Sequence, residues 1–230
     1  MSYLAKKVES FLPHQFSLDS LHLELLCSCS TSYYALIKIN RYAIFGGSFD
    51  PIHRGHLLLI NAIEKSGLFS KIVVVPAGQP WQRPTIASAQ DRLAMVHSAI
   101  SNSEILVSDC EVKRNAPSYA IETVRELQNE FGSVSFSWVI GSDALSGLES
   151  WHEIKTLSEL VDFLVIVRPG YRIDASTVPS FIRWQELEIG ALDISATEIR
   201  RALQEHRDIS AMVTEPVLRY IQEKRLYGAA

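Results

Sequence analysis

Five short apolar runs recur along the chain, and this rhythm is the feature that most restricts the fold. Nearly every position in them is apolar, which is typical of strands covered on both faces in a parallel sheet. Segments of helical length lie between them, so the sequence predicts an α/β fold, a Rossmann-like doubly wound parallel sheet. The runs are YAIF (42–45), KIVVVP (71–76), EILVSD (104–109), VSFSWVIG (134–141) and DFLVIVRPG (162–170), the last of which ends in a Pro-Gly turn.

The intervening segments carry signals for the beginnings and ends of helices. Ser88 is a plausible N-cap, while Gly67 and Gly132 follow apolar segments of helical length and predict their ends. Two more helical segments follow residue 190. The predicted helices cover residues 55–67, 88–102, 118–132, 152–161, 195–206 and 216–228.

Residues 1–40 do not follow the alternation of strands and helices. We predict that they form an N-terminal extension, flexible or partly helical, and that residues 41–230 form a single domain. An extra helix and translated sequence upstream of the true start are the alternatives. No internal repeat was found.

Charge and cysteine content exclude several classes of protein. The net charge is −4 and no basic run stands out, which argues against binding to nucleic acid or to anionic membranes. No uninterrupted apolar stretch reaches transmembrane length.

Three cysteines without a CxxC pair argue against a disulfide framework or a zinc ribbon, so we expect a reducing, cytoplasmic location. The composition leaves open an assembly of identical subunits.

The stretch GGSFDPIHRGH (46–56) joins the first predicted strand to the first predicted helix. In an open parallel sheet, ligands bind beyond the carboxyl ends of the strands, where this turn lies. Gly46 and Gly47 would let a ligand approach the backbone closely. The helix that follows offers free N–H groups and the positive end of its dipole, which suit a phosphate.

Two histidines in this turn suggest a specific use. His53 and His56 are three residues apart, so both can point to one side of the first helical turn. Gly55 removes a side chain that would crowd a ligand. The pair could therefore supply two neutral or positive donors that hold a polyphosphate while charge moves along it. A fortuitous histidine pair, or part of a metal site, is the alternative; we assign no metal ligand.

A second motif, ISATEIRRAL (194–203), predicts another helix N-terminus. Ser195 and Glu198 have the spacing of a capping box, which could be the motif's entire role. Thr197 and Arg200 add a hydroxyl and a guanidinium that can bind phosphate oxygens. Two helix N-termini facing one triphosphate would make a site for adenylyl transfer without a covalent nucleophile.

Together these motifs resemble the nucleotidyltransferase superfamily with HxGH and ISxTxxR motifs, and within it the bacterial nicotinate-nucleotide adenylyltransferases. The resemblance covers about residues 41–227. The further segments that carry it, in family order, are PAGQPWQRP (76–84), KRNAPSYAIETV (113–124), IGSDALSGLESW (140–151) and VRPGY (167–171).

The resemblance implies transfer of AMP from ATP to nicotinate mononucleotide, giving deamido-NAD and pyrophosphate in NAD biosynthesis. It implies Mg²⁺ on the phosphates and direct in-line attack without a covalent enzyme intermediate. His53, His56 and Arg200 would act in catalysis by stabilising the triphosphate. The residues implied to bind ATP are Gly46, Gly47, Ser48, Phe49, Asp143, Arg168, Ser195 and Thr197.

On the acceptor side the resemblance implies four residues. Trp151 would stack on the nicotinate ring, and Tyr119, Ala120 and His152 would lie near it. Each role has a structural alternative: Asp143 could be a helix cap, and Trp151 could be a half-buried anchor. Tyr119 could face the core, and Arg168 could cap a strand turn.

Two departures from the family pattern bear on the substrate. Trp81 and Gln82 stand where many relatives carry proline and histidine. Ala120 stands where a threonine is common, which leaves open the preference for an acid or an amide acceptor. The rival functions are a pantetheine-phosphate adenylyltransferase, a cytidylyltransferase, and a non-catalytic nucleotide-binding protein on the same fold.

Overall fold

The computed structural model describes residues 41–82, 84–168, 170–190 and 194–229. The predicted extension, 1–40, lies outside the described residues. In the described part, no helix combines the length and apolar character needed to cross a membrane.

Six parallel strands form one sheet in the order β3-β2-β1-β4-β5-β6. The order reverses beside β1, which makes the gap between β1 and β4 a switch point where α/β sheets bind ligands. The strands are β1 (Arg41–Gly47), β2 (Lys71–Pro76), β3 (Ile105–Val107), β4 (Ser135–Gly141), β5 (Val161–Val167) and β6 (Trp184–Glu188).

Helices cover both faces of the sheet, as predicted for apolar strands. They are α1 (Arg54–Ser66), α2 (Ala89–Ala99), α3 (Cys110–Lys113), α4 (Ala120–Phe131), α5 (Ile154–Leu160), α6 (Ala196–Gln204) and α7 (Glu215–Glu223). Three 3₁₀ segments cover Ser142–Ser150, Ala175–Thr177 and Leu226–Gly228.

Strand residues alternate between two buried clusters. In β1, Ala43 and Phe45 pack with α1, α2, α6 and α7, while Ile44 packs with α4 and α5. The same alternation in β2 places Val74 on the first side and Val73 on the second. The doubly wound prediction is therefore confirmed, and the helices on the two faces fix the turns at the carboxyl edge.

Local signals placed several ends correctly. Gly67 ends α1 with a left-handed φ of 67°, and the Ser88 Oγ accepts a 3.1 Å hydrogen bond from the Asp91 N–H at the start of α2. The strand predicted within 162–170 ends before the predicted Pro-Gly turn: β5 ends at Val167, and the Tyr171 N–H donates to the Arg168 carbonyl at 3.0 Å. The sequence reading missed β6 because WQELE mixes polar and apolar residues at the edge of the sheet.

Candidate active site

The turn after β1 is packed around two aromatic rings. A Cβ atom on Gly46 would lie 3.0 Å from the Trp138 ring, and one on Gly47 would lie 3.1 Å from the Phe49 ring. These glycines therefore make room for protein side chains, which is a different reason from the ligand approach we expected. Phe49, expected to line the nucleotide, is only 2% exposed, so its ring supports the turn from inside and does not form an open surface for a ligand.

The two histidines of the turn lie against each other. Their rings stack with centroids 3.7 Å apart and planes 24° apart. The His53 backbone N–H donates to the His56 Nδ1 at 3.2 Å. Because that nitrogen is an acceptor, we assign the proton of neutral His56 to Nε2, which leaves an N–H donor on the other side of the ring.

Burial decides the charge of both histidines. His53 is 8% exposed, and burial lowers its pKa to about 4. Burial, with the neighbouring His53 as a second cause, also lowers the pKa of His56 well below its ordinary value. The lowered pKa values favour uncharged rings at neutral pH in the free protein, and so favour the neutral of the two donor states that the sequence left open.

Gly55 serves this arrangement directly. A Cβ atom at this position would lie 3.0 Å from the His53 Nδ1. That nitrogen is buried and has no hydrogen-bond partner among the described residues. The glycine thus gives room to the His53 ring itself, in addition to the space we predicted for a ligand.

The second motif lies beside the histidine turn. The Ser195 Oγ caps α6 by accepting from the Glu198 N–H at 3.2 Å. The predicted capping box is only half formed, because the Glu198 carboxylate binds Arg201 and Arg207. Arg200 donates from Nη1 to the Asp50 carbonyl at 2.7 Å, so it connects α6 to the histidine turn across 150 positions.

Thr197 completes the start of α6. Its Oγ1 accepts from the Arg200 Nη2 at 3.3 Å. The hydroxyl and the guanidinium therefore lie together at this helix N-terminus, next to the turn that carries His53 and His56. The Arg200 guanidinium and the N-termini of α1 and α6 therefore lie near one another, as the two motifs predicted.

Two buried charged residues that the sequence analysis did not single out hold the turn in place. Arg92 is fully buried, and its guanidinium donates to the carbonyls of Ser48 (2.6 Å), Gly78 (3.2 Å) and Ala87 (3.3 Å). Its position could have been a signal, since Arg92 shares a face of α2 with the buried Met95 and Val96 at helical spacing.

Asp50 is the second of these residues and is 5% exposed. Its carboxylate accepts from the backbone N–H groups of Ile86 (2.8 Å) and Ala87 (3.1 Å) and from the Tyr227 hydroxyl (2.7 Å). With Arg92, it joins the histidine turn to the end of the loop 78–87. Three donors on one carboxylate compensate for the removal of its charge from water.

The aromatic side chains that we expected near the acceptor contact one another or other aromatic rings. The Tyr119 and His152 rings stack with centroids 4.3 Å apart and planes 24° apart, and Trp81 lies 6.3 Å from Tyr119. Trp151 contacts Trp138 edge to face, with ring centroids 6.3 Å apart. One side of the Trp151 ring therefore packs against the protein, as in the alternative role of a half-buried anchor. Tyr119 is the N-cap of α4, and Ala120 is the helix's first residue.

Asp143 and Arg168 follow the ends of the neighbouring strands β4 and β5. Asp143 is exposed in the first turn of the 3₁₀ segment; the residue at the N-cap is Gly141, so Asp143 is not the cap. Arg168 is exposed directly after β5. The structure places both at the carboxyl edge of the sheet, without a described contact to the histidine pair.

The loop 78–87 is tied to the start of α4. Ser118 exchanges two hydrogen bonds with Gln79: its N–H donates to the Gln79 carbonyl at 2.9 Å, and its Oγ accepts from the Gln79 N–H at 3.0 Å. A Cβ on Gly78 would collide with the Glu111 carbonyl. Both ends of the loop are therefore held, by Ser118 and Arg92 at one end and by Arg92 and Asp50 at the other.

Comparison with known proteins identifies the family. The family model described as cytidylyltransferase-like matches residues 44–202. A protein of Acidothermus cellulolyticus named "Probable nicotinate-nucleotide adenylyltransferase" is 35% identical over 195 residues, which cover 81% of this chain and 94% of that one. A Chromobacterium violaceum protein of the same name is 33% identical, over 81% of this chain and 98% of that one.

Solved structures show the same fold. A structure of Plasmodium falciparum nicotinic acid mononucleotide adenylyltransferase complexed with NaAD aligns with a TM-score of 0.71 and 23% identity, covering 83% of this chain and 98% of that one. A second structure of that enzyme, complexed with APC, aligns at 0.67 with 26% identity over the same shares. The chain therefore belongs to the nicotinate-nucleotide adenylyltransferase family of cytidylyltransferase-like proteins.

Proposed function

We propose that this protein transfers AMP from ATP to nicotinate mononucleotide, producing deamido-NAD and pyrophosphate in NAD biosynthesis. The observation that carries the proposal is the uncharged, stacked pair of His53 and His56 at the start of α1, with Arg200 at the start of α6 beside it. The names of the Acidothermus and Chromobacterium relatives support the choice of acceptor.

The reaction needs one bond to form and one to break. A phosphate oxygen of the acceptor attacks the α-phosphorus of ATP in line, the bond from that phosphorus to the bridging oxygen of the β-phosphate breaks, and pyrophosphate leaves with the electron pair. The His56 Nε2–H, the Arg200 guanidinium and the N–H groups of both helices would stabilise the charge that develops on the phosphate oxygens.

Direct transfer is favoured by the state of His56. Its Nδ1 lone pair accepts from the His53 N–H, and its Nε2 carries the proton. A ring in this tautomer offers a donor and no free lone pair, so it cannot attack phosphorus. We therefore propose that catalysis consists of positioning and charge stabilisation, without a covalent enzyme intermediate.

The remaining nucleotide contacts follow from placement at the carboxyl edge. The backbone of Gly46, Gly47 and Ser48 would border the nucleotide. Ser195 and Thr197 would face the β- and γ-phosphates from the start of α6. Asp143 would meet a ribose hydroxyl, and Arg168 would lie on the nucleotide side.

Mg²⁺ fits this site as an ion carried by the nucleotide. The described residues contain no group of three or more histidines, cysteines or carboxylates that could hold a metal. The Asp50 carboxylate is occupied by three donors. Mg²⁺ commonly binds through substrate phosphates and water, and when bound to ATP it would neutralise phosphate charge.

The acceptor would bind at the start of α4. The first N–H groups of a helix have no intrahelical partner, and the helix dipole favours an anion there. A nicotinate carboxylate near the Ala120 N–H would use both effects, which need no threonine hydroxyl. Tyr119, His152 and Trp151 would supply the aromatic surroundings of the ring.

Product identification tests the proposal. The full-length protein would be incubated with ATP·Mg²⁺ and either nicotinate mononucleotide, nicotinamide mononucleotide or phosphopantetheine, and products would be identified by mass spectrometry. Formation of deamido-NAD supports the proposal. Formation of dephospho-coenzyme A with no dinucleotide product would support the pantetheine rival, and no product with any acceptor would favour the non-catalytic one.

We also propose that residues 41–230 form the whole catalytic unit, since every site residue lies in them. A variant lacking residues 1–38 should keep its turnover within twofold of the full chain. A soluble, folded truncated protein without turnover would contradict this.

A further inference from the structure

The last turn of the described chain has an unusual backbone. Arg225, Tyr227 and Gly228 have φ angles of 51°, 58° and 85°. Left-handed backbone is uncommon for residues other than glycine, and an aromatic residue there needs support from its surroundings. Tyr227 is nevertheless 6% exposed, so the turn directs its ring into the protein.

The Tyr227 hydroxyl reaches the turn after β1. It donates to the Asp50 Oδ1 at 2.7 Å, across 177 positions of the chain. Burial, followed by the hydrogen bond to Asp50, raises the pKa of Tyr227 well above its ordinary value. The hydroxyl therefore stays protonated and acts only as a donor to the carboxylate, a type of hydrogen bond that is stronger than one between neutral groups.

Asp50 transmits this contact to two parts of the site. Its carboxylate also binds the N–H groups of Ile86 and Ala87, at the end of the loop 78–87. Its carbonyl accepts from Arg200, and His53 lies three residues further along the turn. Loss of one donor from the Asp50 carboxylate would thus loosen the element that orients His53, His56 and Arg200.

We propose that Tyr227 is a positioning residue for adenylyl transfer, whose hydroxyl fixes the Asp50 carboxylate and through it the histidine turn. This inference rests on the proposed function. Tyr227 does not touch substrate; it acts on the phosphate-binding turn from the buried side. Its effect should fall on ATP, because Asp50 contacts the histidine turn and not the Tyr119–His152 pair.

A purely structural role is the rival, in which Tyr227 only anchors the end of the chain. The chain provides a matched control for it. The Tyr220 hydroxyl donates to the Asp91 Oδ1 at 3.0 Å, which is also a tyrosine–aspartate hydrogen bond, but neither residue has a described hydrogen bond to the histidine turn. Tyr220→Phe removes a tyrosine–aspartate hydrogen bond of the same kind, but one that does not involve the histidine turn.

The test compares Tyr227→Phe with Tyr220→Phe and the unchanged protein in steady-state pyrophosphate release, with rates expressed per folded protein. For Tyr227→Phe we expect kcat/KM for ATP to fall about tenfold, with a raised KM for ATP. The KM for nicotinate mononucleotide should stay within twofold. Tyr220→Phe should match the unchanged protein in all three constants.

Two results would overturn the role of Tyr227. One is a kcat/KM for ATP that equals that of Tyr220→Phe. The other is a lower kcat with both KM values unchanged, because a hydroxyl that positions the ATP-binding turn should raise the KM for ATP. If the unchanged protein itself releases no pyrophosphate with any acceptor, the proposed function fails first, and the two failures are thereby distinguished.

A second comparison keeps the inference testable if Tyr227→Phe is poorly stable. In Asp50→Ala both carboxylate oxygens that could accept from Tyr227 are already absent, so adding Tyr227→Phe should lower kcat/KM for ATP by less than twofold further. A full additional tenfold loss in the double variant would show that Tyr227 acts independently of Asp50, and would overturn the inference.

Discussion

His56 accepts a hydrogen bond at Nδ1 from the backbone N–H of His53, while the two rings stack 3.7 Å apart. One hydrogen bond thereby sets the orientation and the tautomer of the ring that we propose acts on phosphate. The donor is Nε2–H, and burial keeps the ring neutral. This pair is the basis of the first two predictions.

His56→Ala should lower kcat by roughly 10²–10³, as loss of one preorganised donor to a developing charge does. The variant should still fold, because His56 is only partly buried and lies in the first turn of α1. Turnover would be followed by pyrophosphate release, and folding by circular dichroism. His97→Ala, an exposed histidine on α2, is the control. Near-normal turnover in His56→Ala would remove His56 from the mechanism.

The histidine pair should also make stability depend on pH. In the folded state the pKa of His53 is lowered to about 4, whereas an unfolded histidine binds a proton below about 6.5. Protonation therefore favours the unfolded chain: the stabilisation is complete above pH 6.5 and decreases as the pH falls from there toward 4.

Urea unfolding at pH 7.5 and 5.5 measures this dependence. Between these pH values the free energy of unfolding should fall by roughly 1 kcal/mol through His53 alone, and His56, whose pKa is also lowered, should add to the loss. His53→Gln removes one titrating group, so its loss should be smaller than that of the unchanged protein. Equal losses in the two proteins would contradict the low pKa of His53.

Gly78→Ala should destabilise the protein, because a methyl group there meets the backbone carbonyl of Glu111. Backbone cannot move aside as a flexible side chain can, so we expect a cost of about 1–3 kcal/mol, the range for overpacked sites. Gly147→Ala is the matched control, since a Cβ at Gly147 has no atom within 4 Å. If the two variants had the same denaturant midpoint, the close approach of the Glu111 carbonyl to Gly78 would be refuted.

His152→Ala should weaken binding of the acceptor more than binding of ATP. It removes the ring stacked on Tyr119 at 4.3 Å. An aromatic pair contributes about 0.5–1.5 kcal/mol, so we expect the KM for nicotinate mononucleotide to rise roughly two- to tenfold. The KM for ATP should change by less than twofold. An increase in the KM for ATP alone would contradict a place for His152 beside the acceptor.

The parallel sheet could be predicted because its strands are buried on both faces, which leaves an uninterrupted apolar run in β2 and β5. The same reasoning cannot find β6, whose edge position tolerates Glu186 and Glu188. Gly67 and Ser88 marked helix ends because their signals are local.

The support of the site could not be predicted, because its contacts join distant positions. Nothing near Tyr227 in the sequence indicates a bond to Asp50. The helical spacing of Arg92 with Met95 and Val96 indicates a buried position, but it does not indicate the carbonyls of Ser48 and Gly78 as its partners. The charge of His53 likewise depends on burial by other segments. The motifs predicted that the histidine turn and the start of α6 lie together, while the hydrogen bonds of Asp50 and Arg92 fix how the turn is held.

The most direct test of the proposed function is the ratio of kcat/KM for nicotinate mononucleotide to that for nicotinamide mononucleotide, measured with saturating ATP·Mg²⁺. We expect at least tenfold preference for the acid, because the start of α4 favours a carboxylate through backbone N–H groups that Ala120 retains. Equal values, or a preference for the amide, would contradict the proposed acceptor.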